Sequence, residues 1–294
     1  MTFAINFPNI SPEIFSVEAF GMTFALRWYA LAYVAGILIG VWLIAVMARR
    51  PAVWANRTPA LQPKHAEALV TWLVLGIILG GRLGFVLFYQ PGYYLTHLAE
   101  IPRVWQGGMS FHGGFLGVVV ALILFARVHH VNLISLGDCV AAVTPIGLFL
   151  GRIANFINAE LWGKPTDVPW AVIFPGDAAQ ACATVQQACA RHPSQLYEAV
   201  LEGLLLFAVM MWLVWRSGAL KAPGRLMGVF FLGYGLSRIL IELFRQADAP
   251  YITLDNPLGH VIQLGNYGLS MGQLLSLPMV VIGLFFLMRS KTTE

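Results

Sequence analysis

Trp28-Tyr29-Ala30-Leu31-Ala32-Tyr33-Val34-Ala35-Gly36-Ile37-Leu38-Ile39-Gly40-Val41-Trp42-Leu43-Ile44-Ala45-Val46-Met47-Ala48 contains no charged side chain and lies between Arg27 and the pair Arg49-Arg50. A helix rises about 1.5 Å per residue, so about 20 apolar residues cross the hydrocarbon core of a bilayer. This stretch is long enough. Six more of the same kind follow, giving seven expected spans at roughly 27–48, 67–89, 109–127, 134–153, 194–215, 226–244 and 269–288. Gly36, Gly40, Pro145, Gly147 and Pro278 fall inside them. Membrane helices accommodate such residues, and small ones let neighbouring backbones approach.

Composition agrees with the pattern. The 294 residues are 58% hydrophobic and 11% charged, whereas about a quarter of a soluble domain is charged. So little polar surface cannot cover so much apolar volume, and lipid must solvate most of the exterior. No internal repeat stands out. Met1 to Phe20 is acidic and lacks a cationic segment ahead of an apolar core, so no cleavable signal peptide is expected. The fold expected is an all-α polytopic membrane protein, a single integral domain over residues 1–294.

The formal charge of +4 is modest, so the placement of the basic residues matters more than their number. The connections after spans one, three, five and seven hold Arg49, Arg50, Arg57, Lys64, Arg127, Arg216, Lys221, Arg225, Arg289 and Lys291, ten of the 18 Lys and Arg. The other side holds Arg103, Lys164, Arg191 and Arg245. Short cytoplasmic loops collect Lys and Arg, so the N-terminus is expected outside and the C-terminus in the cytoplasm. Residues 154–193, with turn signals at Lys164-Pro165-Thr166-Asp167 and Phe174-Pro175-Gly176-Asp177, are long enough to form a small exterior cap. Residues 245–268 form a second exterior segment.

Four arginines remain: Arg27, Arg82, Arg152 and Arg238 lie inside apolar spans or at their outer ends. Each charge there costs about 2.5–3.5 kcal/mol on insertion scales and needs a reason. Arg152 belongs to the densest polar cluster, Gly151-Arg152-Ile153-Ala154-Asn155-Phe156-Ile157-Asn158-Ala159-Glu160-Leu161-Trp162-Gly163. Amides this close to an apolar span require partners, which argues against a merely snorkelling arginine. Arg238 and Glu242 stand four apart on span six, with Tyr234 one turn earlier and Arg245 just beyond. An internal ion pair explains Glu242 but not why either charge is placed there. One tyrosine and two guanidiniums suit a phosphate.

A third cluster, Gly107-Gly108-Met109-Ser110-Phe111-His112-Gly113-Gly114, opens span three. Flanking glycines let a ligand approach His112, and imidazole titrates where it could accept a thiol or hydroxyl proton. A lone histidine is more often structural. Arg82, after Gly80-Gly81, adds another guanidinium that reads equally as helix packing with a counter-ion, and Tyr29 reads as a residue of the aromatic belt. Asp138, Glu198 and Glu202 read as structural partners rather than catalysts. The pair His129-His130 stands alone, and neither a zinc motif nor a Gly-x-Ser-x-Gly elbow is present. No metal, cofactor or nucleic-acid partner is expected. The basic groups on one membrane face point to an anionic lipid headgroup.

At these residues the chain resembles the bacterial prolipoprotein diacylglyceryl transferases. The likeness runs through Arg103-Val104-Trp105 and the Gly-Gly-Met-Ser-Phe-His-Gly-Gly stretch, the span-four cluster, and Arg191-His192-Pro193-Ser194-Gln195-Leu196-Tyr197-Glu198. It continues through Gly233-Tyr234-Gly235 to Arg245 and through Met271-Gly272-Gln273. Several motifs in the right order over nearly the whole chain are far more specific than any one.

The resemblance implies transfer of the diacylglyceryl group of phosphatidylglycerol to the lipobox cysteine of a preprolipoprotein. A thioether forms and glycerol phosphate leaves. It places the chain in the bacterial inner membrane as a multi-pass protein, with residues 154–193 as a periplasmic cap and the active site on the periplasmic face. Membrane lipids and preprolipoprotein signal peptides are the partners implied. The nucleophilic thiol belongs to the substrate. By position the resemblance makes His112 the proposed base and assigns Arg152 and Arg238 to the headgroup and departing phosphate. Glu160 and Glu242 would orient those guanidiniums, Asn155, Tyr29 and Tyr234 would supply hydrogen bonds, and Gly163 and Arg245 would complete the substrate site. Whether His112 takes the proton or only positions lipid stays open. The family usually has glycine where this chain has Ala154 and Ala159.

A transporter or flippase of an anionic lipid also places arginines in the membrane, but it favours midplane charges and paired repeats. An intramembrane protease would need a serine elbow or paired aspartates. Cys182 and Cys189, seven apart in one outer loop, are expected to form a disulfide, the alternative being two free thiols. Cys139, inside span four, reads as an inert core residue.

Overall fold

The computed structural model describes residues 4–19, 22–182, 184, 187–247, 249–253, 255–264 and 267–291. Its long helices are α1 (Trp28–Ala48), α2 (Pro63–Phe88), α3 (Phe111–Val128), α4 (Leu133–Ile157), α5 (Ser194–Arg216), α6 (Arg225–Ile241) and α7 (Met271–Arg289). Six of them, all but α6, are long and apolar enough to cross a membrane. The expected sixth span forms α6, whose 17 residues stand at the short end of spanning length. Strands occur only as two-stranded ribbons among the described residues. The chain is therefore a multi-pass helical membrane protein.

The chain divides into two compact units. The first comprises residues up to Gly40, Ala141–Ser217 and Arg225–Ser290; the second is chiefly Val41–Val140 with Gly218–Gly224.

In the second unit α2 and α3 lie antiparallel with their backbones nearly touching. Gly76, Gly80 and Gly84 repeat every fourth residue on one face of α2, opposite Gly113 and Gly117 of α3. A methyl on Gly76 would lie 2.6 Å from the Gly117 carbonyl oxygen, and one on Gly84 would lie 2.7 Å from the Gly113 Cα. Lipid gives helices no hydrophobic reason to associate, so this close van der Waals seam does the work.

Arg82 has a reason other than the counter-ion expected. Its Nε donates to the Ile101 carbonyl at 2.7 Å, Nη2 to that of Glu100 at 2.7 Å, and Nη1 to those of Gly107 and Gly108 at 2.6 and 3.2 Å. The guanidinium also lies 5.1 Å from the centre of the Tyr94 ring and is buried. It fastens the loop that leads into α3. Ser110 caps that helix, its Oγ accepting from the Gly113 N–H at 3.2 Å, and His112 follows in the first turn. Asp138 of α4 is buried, and its Oδ2 accepts from the Gly224 N–H at 2.7 Å.

In the first unit α6 and α7 form a second glycine seam, where a methyl on Gly283 would lie 2.5 Å from the Leu232 nitrogen. The ribbon of Ile262–Leu264 and Tyr267–Leu269 leads into α7. Ser270 and Gln273 close a capping box on that helix. Residues 154–193 fold on a small core of Val172, Phe174 and Ala179, against which Phe7, Phe156, Ala159 and Trp162 pack. Strand β1 (Ile5–Asn6) pairs in parallel with β2 (Val172–Ile173), so the N-terminal segment is stitched to this core. Arg191 is buried at its edge, donating to the carbonyls of Ala179 at 2.6 Å and Gly163 at 3.3 Å, with Trp162 stacked at 4.0 Å. Ala159 adopts φ 53°, the left-handed region that glycine enters without steric cost.

Cys182 and Cys189 are joined, with their Cα atoms 5.3 Å apart, and Cys139 is a buried free thiol. Closing so short a loop restricts the unfolded chain by about 2 kcal/mol in the chain-entropy account. Replacing both cysteines by serine is expected to lower the unfolding free energy by about that much. Mass spectrometry of the peptide spanning 182–189, before and after reduction, checks the bond itself.

Candidate functional site

The charges of the first unit converge from four directions. Arg152 is in the last turns of α4, Glu198 and Glu202 are on α5, Arg238 is on α6, and Glu242 with Arg245 follows α6. Three glutamates face three arginines.

Glu198 is the hub. Its side chain is fully buried; one oxygen, Oε1, accepts from Arg238 Nη1 at 2.5 Å and Arg245 Nη1 at 2.8 Å, while Oε2 lies 3.1 Å from Arg152 Nε. Glu242 Oε1 accepts from Arg238 Nη2 at 2.7 Å and lies 3.2 Å from Arg245 Nε. The other Glu242 oxygen accepts from the Ser270 hydroxyl at 2.9 Å, at the start of α7, where the helix dipole favours a negative charge. Glu202 Oε2 stands 3.7 Å from Arg152 Nη2.

These contacts balance charge without using every donor and acceptor. Glu198 Oε2, both Glu202 oxygens and Arg245 Nε are buried with no aligned hydrogen bond. Burying such groups without a partner is costly; Arg245 Nε is a donor free for an anion, whereas the three carboxylate oxygens call for a donor such as a ligand hydroxyl.

Local structure on α5 explains how two of the carboxylates reach this place. The helix widens into a π turn over Ala199–Leu205, immediately after Glu198 and including Glu202. Such turns shift the register of the residues beyond them and recur at functional sites. Gly203 then lets α5 lie directly on α4: a methyl there would be 2.6 Å from Phe149 Cβ and 2.7 Å from its Cα. Arg152 is three residues further along α4.

A second network adjoins the first. Arg152 Nη1 reaches Asn155 Oδ1 at 3.5 Å, and the Asn155 amide donates to Glu160 Oε1 at 2.8 Å and to the Tyr29 hydroxyl. The backbone carbonyl of Glu160 is held in turn by Gln195 Nε2 at 2.6 Å. Glu160 therefore steadies Asn155 and reaches Arg152 only through it. The direct carboxylate partners of Arg152 are Glu198 and Glu202, because the polypeptide turns away after Ile157 and carries Glu160 past the guanidinium. The expected pairing of Glu242 with Arg238 is present.

Gly163 supplies backbone rather than a ligand group. It forms a bridge with Arg245 and donates its N–H to the His192 carbonyl at 2.9 Å. A methyl on it would lie 2.5 Å from the Phe244 carbonyl oxygen and 2.8 Å from His192 Cβ. Lys164 beside it donates to the Leu243 carbonyl at 3.0 Å, and burial pulls its ammonium below the usual lysine range. His192 is likewise pushed down, by burial first and by Lys164 second, so its ring is neutral at pH 7 beside the Tyr197 hydroxyl at 3.1 Å. Tyr234 lies one turn before Arg238, stacked on Phe230 at 6.0 Å, and its hydroxyl carries no hydrogen bond among the described residues.

Two cavities open on this cluster. One, an open space of about 480 Å³, is lined by Arg238, Glu242, Arg245, Ser270, Met271 and Leu275, so that charged and apolar side chains share its lining. The other, of about 360 Å³, shares Glu242, Arg245 and Ser270 and adds Lys164, His260 and Gln273. Tyr29, Arg152, Asn155, Glu160, Gly163, Tyr234, Arg238, Glu242 and Arg245 thus all belong to the first unit. His112 belongs to the second, exposed on the first turn of α3 with an edge contact to Phe111. No group of three or more metal-ligating side chains occurs among the described residues.

Comparison with known proteins covers nearly the whole chain. A family model described as prolipoprotein diacylglyceryl transferase matches residues 17–289. A phosphatidylglycerol–prolipoprotein diacylglyceryl transferase of Ruegeria pomeroyi is 61% identical over 292 residues, which is 99% of either chain. A protein of the same name from Cereibacter sphaeroides is 58% identical over 98% of this chain and 99% of its own. Another, from Brucella anthropi, is 47% identical over 99% and 95%. With so much of its length matched, this chain belongs to the prolipoprotein diacylglyceryl transferase family.

Proposed function

We propose that this enzyme transfers the diacylglyceryl group of phosphatidylglycerol to the lipobox cysteine of a preprolipoprotein. The substrate sulfur attacks the glycerol carbon that bears the phosphate ester. A C–S bond forms, the C–O bond breaks, and its electron pair leaves on the oxygen of glycerol phosphate. The thiol proton passes to a base, for which His112 is our candidate. Arg152 and Arg238 receive the phosphate, on which negative charge grows as the bond breaks. Arg245 extends the cradle, Glu242 orients Arg238, and Glu160 holds Asn155 while Asn155 and Tyr29 contribute hydrogen bonds. The unengaged hydroxyl of Tyr234 is available to substrate, and Gly163 seats Arg245.

One observation carries this reading: three guanidiniums gathered on a buried carboxylate beside a part-apolar cavity. It is what a lipid with an anionic head and an apolar body requires. We place the protein in the bacterial inner membrane with its N-terminus and site facing the periplasm, on the strength of the basic residues in alternate connections. Residues 154–193 then form the periplasmic cap of a single integral domain.

The test is direct. Purified enzyme with phosphatidylglycerol and a lipobox peptide should add a diacylglyceryl mass to the peptide cysteine, and a Cys→Ser peptide should gain nothing. Absence of the adduct on the cysteine peptide would refute the assignment. For His112, the Gln variant should lose at least about tenfold in turnover and the ascending limb of its pH profile, because a neutral amide cannot accept the proton. Turnover close to wild type with an unchanged profile would remove His112 from that role.

A further inference from the structure

Glu198, like Glu202, is a buried acid that the reaction as proposed does not use. It touches all three arginines of the cradle, and these come from α4, from α6 and from the segment after α6. Three guanidiniums this close repel one another unless an anion lies between them. That anion is Glu198, with no exposure to solvent and no other role visible in its contacts.

We propose that Glu198 is the positioning residue of the cradle and sets which anionic charge it retains. The inference rests on the headgroup reading above. Arg152, Arg238 and Arg245 are formally balanced by Glu198, Glu202 and Glu242. Removing the charge of Glu198 leaves one positive charge in excess. Coulomb energy scales with the charge of the ligand, so that excess holds a dianion about twice as strongly as a monoanion. The lipid substrate is a phosphodiester monoanion, whereas the product carries a phosphomonoester that approaches a dianion at neutral pH. Glu198 thereby limits the cradle's hold on the product while fixing the spacing of guanidiniums that must meet the substrate.

Kinetics of Glu198→Gln and Glu198→Asp, measured with phosphatidylglycerol and a lipobox peptide, separate spacing from charge. Calorimetric titration with glycerol phosphate reads the charge effect without turnover. For Glu198→Gln we expect kcat to fall about 100-fold, since the donors lose their common anchor. The lipid KM should not rise, and glycerol phosphate should bind about tenfold more tightly. Glu198→Asp keeps the charge on a shorter arm, so glycerol phosphate affinity should return to the wild-type value while kcat stays depressed. A residue that merely supports the fold would lower the melting temperature without tightening product binding. Unchanged product affinity in Glu198→Gln, or a raised KM with kcat retained, would overturn the proposal. Should Glu198→Gln fail to fold, Glu198→Asp decides: wild-type kcat overturns it. If the wild-type enzyme itself does not modify the peptide, the headgroup reading has failed, and the glycerol phosphate titrations still report on the cradle's charge.

Discussion

Arg238→Lys is expected to lower kcat/KM for lipid transfer by about 100- to 1000-fold although the charge is kept. The guanidinium uses one nitrogen on Glu198 at 2.5 Å and the other on Glu242 at 2.7 Å. A planar fork spans two carboxylates at once, while an ammonium is a point that must favour one. The carboxylate left over keeps only its other partners, Arg152 and Arg245 for Glu198 or Arg245 and Ser270 for Glu242, and removing one arm of a buried ion pair costs up to about 3–5 kcal/mol. Part of the loss should therefore appear as a lower melting temperature in detergent. The larger part should appear in kcat, because the nitrogens meeting the leaving phosphate are displaced. A lysine variant within tenfold of wild type would show that position 238 needs charge alone.

The second large effect comes from a residue with no side chain. Gly203→Ala places a methyl 2.6 Å from Phe149 Cβ and 2.7 Å from its Cα, well inside contact distance. Part of that clash is with backbone, so no rotamer change relieves it, and α5 must retreat from α4. Overpacking of this kind costs about 1–3 kcal/mol. The retreat also carries Glu198 and Glu202 away from Arg152, where the separations are already 3.1 and 3.7 Å. Stability and activity should fall together, with at least a tenfold loss of turnover. Trimming the neighbour in Gly203→Ala/Phe149→Ala should not restore activity, because the Phe149 Cα remains. Full recovery in the double variant would mean that side-chain crowding alone was responsible. Melting curves and lipid-transfer rates on both variants provide the check.

The spans were legible from the sequence because their signal is one-dimensional. A run of apolar residues between basic ones is visible without knowing what packs on it, and α1, α2, α3, α4, α5 and α7 form where such runs stand. The arginines of the site were also legible, since an intramembrane charge demands an explanation. Of their partners, Glu242 was legible at four residues from Arg238. Glu198 and Glu202 read as structural partners without showing of what. The resemblance pointed to Glu160 for Arg152, whereas the direct carboxylate partners of Arg152 come from a different helix. The signal that would have corrected this was present: two acids four apart in an apolar span are subject to the same cost as the arginines. The π turn that aims them, and the contact of Gly203 with Phe149, leave no mark in hydropathy. Arg82 fell to a related oversight, because a search for an acidic counter-ion does not count carbonyl groups.

That choice of partner bears on how the loop before α3 tolerates mutation. Arg82 grips the main chain of Glu100, Ile101, Gly107 and Gly108, and main-chain oxygens are common to all residue types. Substitution at 100 or 101 leaves the grip in place, so this stretch is free to drift in sequence while keeping its course. Three positions are denied that freedom. Arg82 has no substitute with the same fan of donors, Gly107 is held at φ +84°, and a methyl on Gly108, at φ +77°, would lie 2.6 Å from the Phe85 ring and 2.9 Å from Arg82 Nη1. Deep mutational scanning of residues 98–108 should therefore find a more permissive loop pinned at Gly107 and Gly108, with Arg82 intolerant at a distance of 26 residues.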